Sequence, residues 1–295
     1  MSARYRTLDV PVAGGDLRVG LWDAPDAGAP TIVAIHGVTS SHLAWQWLAD
    51  ALPEVRIVAP DLRGRGRSTE VAGPAGMAAH ADDLAAVFDL LGLGPTVVVG
   101  HSMGAFVAVV FAHRHPSLVR RLVLVDGGLP LAAAPGLSTD ELVAAILGPT
   151  AARLSLRFAD TAAYLEFWRT HPAFPAPHAP ELERYFAYDL VPDGRVLRPA
   201  TSYATTAEDT VDLNGGTALI DALAALDAGA HPVEFVTVPR GLQDEEPGLY
   251  PPEHLAALLA RHPSVSHERW DGLNHYSVVM SPAGAERVAA LVRRR

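Results

Sequence analysis

The sequence lacks cysteine, and all 23 of its basic residues are arginine, so lysine is absent as well. Without cysteine there can be no thiol nucleophile, disulfide framework or thiolate metal site. Without lysine there can be no Schiff-base chemistry and no P-loop lysine. The formal net charge of −10 argues against a nucleic-acid partner, which would require a basic face.

Long hydrophobic runs are also missing. No segment approaches 18 uninterrupted apolar residues, so we expect no membrane-spanning helix. Residues 1–16 contain no apolar core of signal-peptide length. We therefore expect a cytoplasmic protein, and the sequence leaves its oligomeric state open.

The chain has 295 residues, of which 49% are hydrophobic and 19% are charged. This balance is typical of a globular protein with strands buried on both faces. A weakly alternating segment from Arg4 to Trp22, with a turn at Gly14-Gly15, predicts a hairpin. Short apolar runs then predict strands at Thr31–Ile35, Arg56–Ala59, Thr96–Val99, Arg121–Val125, Val233–Val238 and Val265–Trp270. Helical patterns lie between or after them at Met77–Leu91, Met103–His113, Leu219–Ala228, Pro252–Arg261 and Pro282–Arg294.

Strands that alternate with helices predict an α/β fold with a mainly parallel central sheet and helices on both faces. Residues 130–215 interrupt this alternation and contain no obvious buried strand. They hold nine of the twenty aromatic residues of the chain. We interpret them as a helical cap, or lid, over an apolar pocket, and residues 1–129 and 216–295 as the core domain. The aromatic residues could equally form the hydrophobic core of the cap.

A candidate nucleophile lies in Gly100-His101-Ser102-Met103-Gly104, a G-x-S-x-G pattern. The pattern follows a predicted strand directly and leads directly into a predicted helix. Small flanking residues allow a sharp, strained turn that presents the serine hydroxyl at the carboxyl end of the sheet. The N–H groups at the start of the helix are available to stabilise negative charge.

Four further segments, together with this one, resemble the α/β-hydrolase fold superfamily and, within it, serine hydrolases with a helical lid. The segment after the first parallel strand, His36-Gly37-Val38-Thr39-Ser40-Ser41, resembles the oxyanion loop of that family. The segment 61–68 resembles its D-x-R-G-x-G-x-S turn. Gly241-Leu242-Gln243-Asp244 resembles its acid-bearing turn, and Asn274-His275-Tyr276 lies where the family keeps its histidine.

The resemblance implies a catalytic triad of Ser102, His275 and Asp244, with the backbone N–H groups of Val38 and Met103 as the oxyanion hole. A serine hydroxyl needs a base to become nucleophilic, and a neutral imidazole can take its proton. A carboxylate on the second ring nitrogen fixes the tautomer of the imidazole. The resemblance implies neither a metal nor a cofactor.

The choice of acid has an alternative. Glu245 and Glu246 directly follow Asp244 and alter the usual turn, and the family occasionally places its acid one strand earlier. That position is Asp126, in Val125-Asp126-Gly127-Gly128 after a predicted strand. Asp126 could instead be a turn residue that bonds its own backbone.

The resemblance implies hydrolysis of a carboxylic ester or lactone through an acyl-enzyme. It does not specify the substrate, and the composition of residues 130–215 favours an apolar or aromatic small molecule. The aromatic cap motivates the aromatic option. Hydrolysis of a carbon–carbon bond next to a carbonyl, or binding of a small molecule without catalysis, are the alternatives. Relatives that open epoxides or remove halide use an aspartate nucleophile, and Ser102 argues against both of those activities.

Overall fold

A computed structural model describes residues 3–132 and 136–294. Its centre is an eight-stranded sheet with the order β1-β2-β4-β3-β5-β6-β9-β10. The strands of this sheet are β1 (Tyr5–Val12), β2 (Gly15–Trp22), β3 (Thr31–Ile35), β4 (Arg56–Pro60), β5 (Thr96–His101), β6 (Val119–Val125), β9 (Val233–Thr237) and β10 (Val265–Arg269). The hairpin β1–β2 is antiparallel and β2 pairs antiparallel with β4, whereas every other pairing in the sheet is parallel. The predicted mainly parallel sheet is therefore confirmed.

Two groups of helices flank this sheet. One group consists of α2 (Met77–Leu91), α3 (Met103–Arg114) and α9 (Thr217–Asp227), which pack against one another. The other pairs α1 (Gln46–Ala51) with α11 (Pro282–Arg293), and α10 (Pro252–Arg261) precedes β10. Short 3-10 helices cover His42–Trp45 and Pro116–Leu118.

The centre of the core is α3, whose first ten residues are all buried. It is apolar around its whole circumference because it lies between the sheet and the helices α2 and α9. The strands β3, β5 and β6, which contact α3, are likewise apolar and buried over most of their length. Continuous burial of these strands explains why short unbroken apolar runs marked them in the sequence.

The segment between β6 and α9 folds into helices and one hairpin. Its elements are α4 (Thr139–Leu147), α5 (Pro149–Arg153), α6 (Thr161–Arg169), α7 (Pro180–Tyr188), β7 (Leu190–Asp193), β8 (Val196–Pro199) and α8 (Tyr203–Asp212). The antiparallel pair β7–β8 forms a separate small sheet, which the sequence did not predict because its residues are largely half-buried or exposed. Residues 133–135 of the predicted cap lie outside the described residues.

Most aromatic residues of this segment pack against one another. The Trp168 ring stacks on Phe186 with centroids 4.3 Å apart, and Phe174 meets both rings edge-on. Tyr164 meets Trp168 edge-on and Phe158 meets Tyr164 edge-on, which extends the cluster. These rings therefore form the internal core of the segment, as one of the two interpretations of the aromatic enrichment expected.

Candidate functional site

The turn between β5 and α3 holds Ser102 in a strained backbone conformation. Its φ is 54° and its ψ is −126°, values that a non-glycine residue seldom adopts. The two glycines of the motif make the turn possible by close approach. A Cβ on Gly104 would lie 2.1 Å from the carbonyl oxygen of Ile35, and one on Gly100 would lie 2.4 Å from the Cα of Ala105.

The loop after β3 runs directly against this serine. A Cβ placed on Gly37 would lie 3.1 Å from Ser102 Cβ and 3.5 Å from Ser102 Oγ. His36 holds this loop in place through two hydrogen bonds. Its Nδ1–H donates to the Gly37 carbonyl at 2.7 Å, and its Nε2 accepts the N–H of Leu62 at 3.0 Å. Burial lowers the pKa of His36 to about 4, so its ring is neutral and can serve as donor and acceptor at once.

Val38 and Met103, the residues whose N–H groups are expected to form the oxyanion hole, both lie near Ser102. Met103 is the first residue of α3, so the helix offers its N–H no carbonyl partner one turn earlier. Val38 follows Gly37 in the loop that contacts the serine. Val38, Met103 and Ser102 all line one small cavity.

The histidine after the last strand meets a carboxylate, and that carboxylate belongs to Asp126. His275 Nδ1 lies 2.6 Å from Asp126 Oδ2, and both side chains are buried. The N–H of Val238 donates to the other carboxylate oxygen at 3.4 Å. An ionised carboxylate only accepts hydrogen bonds, so Nδ1 is the donor in this bond, and in the neutral imidazole Nε2 then keeps its lone pair.

Asp126 reaches this position from the strand beside the one that carries Ser102. It follows β6, which pairs with β5, and the Ser102 N–H donates to the Val125 carbonyl at 2.9 Å. Asp126 has a φ of 47°, and a Cβ on the next residue, Gly127, would lie 2.2 Å from the Ser102 carbonyl oxygen. In the sequence, this close packing was indicated only by the two glycines that follow Asp126.

Asp244, the residue that the sequence favoured as the partner of His275, makes other contacts in the structure. The Asp244 carboxylate accepts from Arg240 Nη1 at 2.8 Å and from Asn274 Nδ2 at 3.1 Å, and its side chain is 31% exposed. Asp244 thus supports the neighbouring residue of the histidine loop. Glu245, which follows Asp244, folds back against the same turn. Its carboxylate accepts a hydrogen bond from the Gln243 N–H at 2.6 Å.

His101 also supports the histidine loop, a role that the sequence did not indicate. Its Nε2–H donates to the His275 carbonyl at 2.8 Å, and the two rings lie 4.8 Å apart. Burial, together with the neighbouring His275, holds the pKa of His101 well below its usual value. His101 is therefore neutral and adds no positive charge beside the candidate base.

The cavity at Ser102 is small and mainly aliphatic. Its volume of about 20 Å³ leaves room for about one water molecule. Besides Val38, Ser102, Met103 and Asp126, it is lined by Phe106, Leu131, Ile146, Leu147, Thr210, Leu213, Leu242 and Leu249. Of the nine cap aromatics that motivated an aromatic substrate, none is among these lining residues.

The turn after β4, residues 61–68, contains several arginines, and these pair with other residues of this chain. Arg63 makes two hydrogen bonds to Asp83, at 2.8 Å and 2.7 Å. Arg65 pairs with Asp209 of α8 at 2.5 Å. Asp61 accepts the N–H of Arg67 at 2.9 Å, which closes the turn upon itself. Carboxylates of this chain thus satisfy the hydrogen-bonding groups of Arg63, Arg65 and the Arg67 backbone.

Comparison with known proteins gives the same architecture. The family described as alpha/beta hydrolase fold matches residues 30–213, more than half of the chain. Lipase LipV of Mycobacterium tuberculosis is 45% identical over 121 residues, which cover 41% of this chain and 45% of that protein. The sn-1-specific diacylglycerol lipase ABHD11 of Mus musculus is 36% identical over 124 residues, covering 41% of this chain and 40% of that protein. The chain thus matches less than half the length of these two curated relatives.

The same fold recurs in a solved structure. The crystal structure of E-2-(acetamidomethylene)succinate hydrolase superposes with a TM-score of 0.76 at 23% identity, over 98% of both chains. In the part of this chain that the structure describes, no helix combines the length and the apolar character needed to cross a bilayer. The sheet order, the serine turn after β5 and the sequence match agree, and the chain belongs to the alpha/beta hydrolase fold family.

Proposed function

We propose that the protein hydrolyses carboxylic esters through an acyl-enzyme, with Ser102 as nucleophile, His275 as general base and Asp126 as the acid of the triad. The observation that carries this proposal is the bond between His275 Nδ1 and the buried Asp126, formed next to a serine on a strained strand-to-helix turn. Backbone strain of this kind at a buried site supports a functional assignment.

In the proposed reaction, Asp126 holds the proton on His275 Nδ1, so Nε2 takes the proton of Ser102 as Oγ attacks the ester carbonyl. The negative charge that develops on the carbonyl oxygen is stabilised by the N–H groups of Val38 and Met103. His275 then protonates the departing alkoxide, and the acyl-enzyme remains. Water repeats the sequence with His275 as base and releases the carboxylic acid.

The curated relatives support ester chemistry as the class of reaction. Both matched relatives described above carry the word lipase in their names. A lactone contains the same acyl–oxygen bond within a ring, and it would enter the same sequence of steps.

The aliphatic lining of the cavity points to a small, unbranched aliphatic acyl group. We expect kcat/KM for an acetyl or butyryl ester to exceed that for the matching benzoyl or dodecanoyl ester by about tenfold or more, because one misfitting methylene in a tight apolar pocket costs about 1–3 kcal/mol. A panel of p-nitrophenyl esters measures this preference.

Ile146→Ala provides a test of the lining itself. Removing this side chain from the cavity wall should shift the preference towards longer acyl chains. Ile220→Ala is the matched control, because Ile220 lies on α9 with 57% of its surface exposed. An unchanged preference in Ile146→Ala, or an equal shift in Ile220→Ala, would disprove the assignment of this cavity to the acyl group.

A fluorophosphonate probe tests the nucleophile. We expect the native protein to be labelled on Ser102, because the probe needs an activated serine and an oxyanion site and yields a stable adduct. Labelling should vanish in Ser102→Ala and persist in Ser266→Ala, a change at an exposed position on β10. Mass spectrometry of the labelled peptide identifies the site. A native protein that stays unlabelled at Ser102 would refute the proposed hydrolase and favour a protein that only binds small molecules.

A further inference from the structure

Arg65 is a fully buried arginine that contacts both residues of the proposed oxyanion hole. Its Nε–H donates to the Val38 carbonyl at 2.8 Å, and its Nη2 lies 3.9 Å from the Sδ of Met103. A third contact, from Nη1 to the Arg63 carbonyl at 3.0 Å, fixes the guanidinium to its own turn. The resemblance to the family gave this position no role.

The charge of Arg65 is balanced by a carboxylate from the cap. Asp209, on α8, lies 2.5 Å from Arg65 Nη1 and is also fully buried. The N–H of Gly76 at 2.7 Å and His80 Nε2 at 2.9 Å hold the other oxygen of Asp209. The hydrogen bonds from Gly76 and His80 thus fix the Asp209 carboxylate, and the carboxylate in turn fixes the guanidinium of Arg65.

We propose that Arg65 is a positioning residue for the oxyanion hole and that Asp209 couples the seating of cap helix α8 to the geometry of that hole. The inference rests on the proposed function. The carbonyl of Val38 and its N–H belong to adjacent peptide groups that share the Val38 Cα, so a bond that fixes the carbonyl also restricts the direction of the N–H. With α8 in place, Asp209 orients the guanidinium, and the guanidinium orients the loop that bears the donor.

The planar fork of arginine suits this task. Its nitrogen atoms point in fixed directions, so that Nε reaches the Val38 carbonyl while Nη1 reaches both the Arg63 carbonyl and Asp209. Arg63 lies in the same turn, but within the described residues it makes no such contact with the oxyanion loop. It forms a buried pair with Asp83, and its remaining bonds reach the carbonyls of Ala13, Ala72 and Pro74, far along the chain from the oxyanion loop.

The test removes each buried pair as a unit, so that no single charge is left without a partner. Arg65→Met with Asp209→Asn should lower kcat for a short-chain ester by about tenfold to a hundredfold, since loss of one oxyanion donor costs roughly a hundredfold to a thousandfold and a misplaced donor costs less. KM should stay within about threefold. The affinity for an alkyl trifluoromethyl ketone, which forms an oxyanion adduct with the serine, should fall by the same factor as kcat.

Arg63→Met with Asp83→Asn is the matched control. It removes a second buried pair that involves the same turn, and we expect kcat and the affinity for the ketone to stay within about threefold of the wild type. Asp209→Glu alone keeps the charge of Arg65 paired but displaces the carboxylate, and it serves if the first double variant does not fold. We expect it to lower kcat by about threefold to tenfold with KM retained.

The outcomes separate the two proposals. If the wild type shows hydrolysis that depends on Ser102 but both Asp209 variants keep the wild-type kcat, or raise KM alone, the positioning role is refuted and the proposed function stands. An equal loss of kcat in the Arg63–Asp83 double variant would also refute the positioning role, because the loss would then result from general destabilisation of the turn. If the wild type hydrolyses no ester, both proposals fail.

Discussion

Asp126→Asn should lower kcat for ester hydrolysis by about ten-thousand-fold, as expected when the acid of a serine triad becomes an amide. An asparagine can present its NH₂ to His275 Nδ1, which then becomes an acceptor and carries no proton. The proton moves to Nε2, and the nitrogen that should take the proton of Ser102 is blocked. The structure motivates this expectation through the 2.6 Å contact between His275 and Asp126.

Asp244→Asn is the matched control for that substitution. An asparagine at this position keeps an oxygen that can accept from Asn274, and it loses only the ion pair with the largely exposed Arg240. Ion pairs at exposed positions contribute about 0–1 kcal/mol, so kcat should stay within about threefold of the wild type. Steady-state kinetics of both variants decide between the two acids. A large loss in Asp244→Asn with little loss in Asp126→Asn would restore the assignment that the sequence pattern favoured.

The two aspartates show where inference from the sequence stops. Both follow a strand of the parallel region, both adopt a positive φ, at 47° and 61°, and both contact the histidine loop. A local motif places each of them at the correct edge of the sheet. Only the path of the loop at 274–276 decides that Asp126 meets His275 while Asp244 meets Asn274, and that path depends on contacts between segments far apart in the chain.

The parallel strands and their helices were predictable because each is determined by short-range patterns. Thr31–Ile35 and Met77–Leu91 have the predicted bounds, and the turn at Ser102 joins the predicted strand and helix. A strand buried on both faces must be apolar throughout, whatever it packs against. The fold class and the position of Ser102 on a strand-to-helix turn followed from this local information.

Residues 130–215, which the sequence analysis interprets as a cap, were less accessible to such reasoning. Its aromatic content predicted an apolar segment, but composition cannot show which rings face one another and which face the substrate. In the structure, Trp168 and Phe186 stack inside the cap, while Ile146 and Leu213 reach the cavity. The partnership of Arg65 with Asp209 spans 144 positions of the chain, and neither residue belongs to a pattern that signals the other.

Gly104→Ala should destabilise the protein by about 3 kcal/mol, because overpacking a core costs about 1–3 kcal/mol and this site cannot relax. The added Cβ would lie 2.1 Å from the Ile35 carbonyl oxygen and 2.6 Å from that of His36. Both oxygen atoms belong to the backbone at the end of β3, just before the loop that contains Val38. This strand is held in place by β4 on one side and β5 on the other. Relief of the clash must therefore move α3 or the loop, so kcat should fall together with stability. Urea denaturation followed by circular dichroism measures the change.

This prediction opposes the intrinsic preference of the helix, which makes it a strict test of the packing. In an exposed helix interior, alanine is more favourable than glycine by about 1 kcal/mol, so Gly104→Ala would stabilise α3 if close approach to β3 were unimportant. Gly94→Ala is the matched control, because a Cβ there meets nothing within 4 Å. It should change the free energy of unfolding by less than about 0.5 kcal/mol. A Gly104→Ala variant as stable as Gly94→Ala would show that the turn at Ser102 does not depend on the contact between α3 and the end of β3.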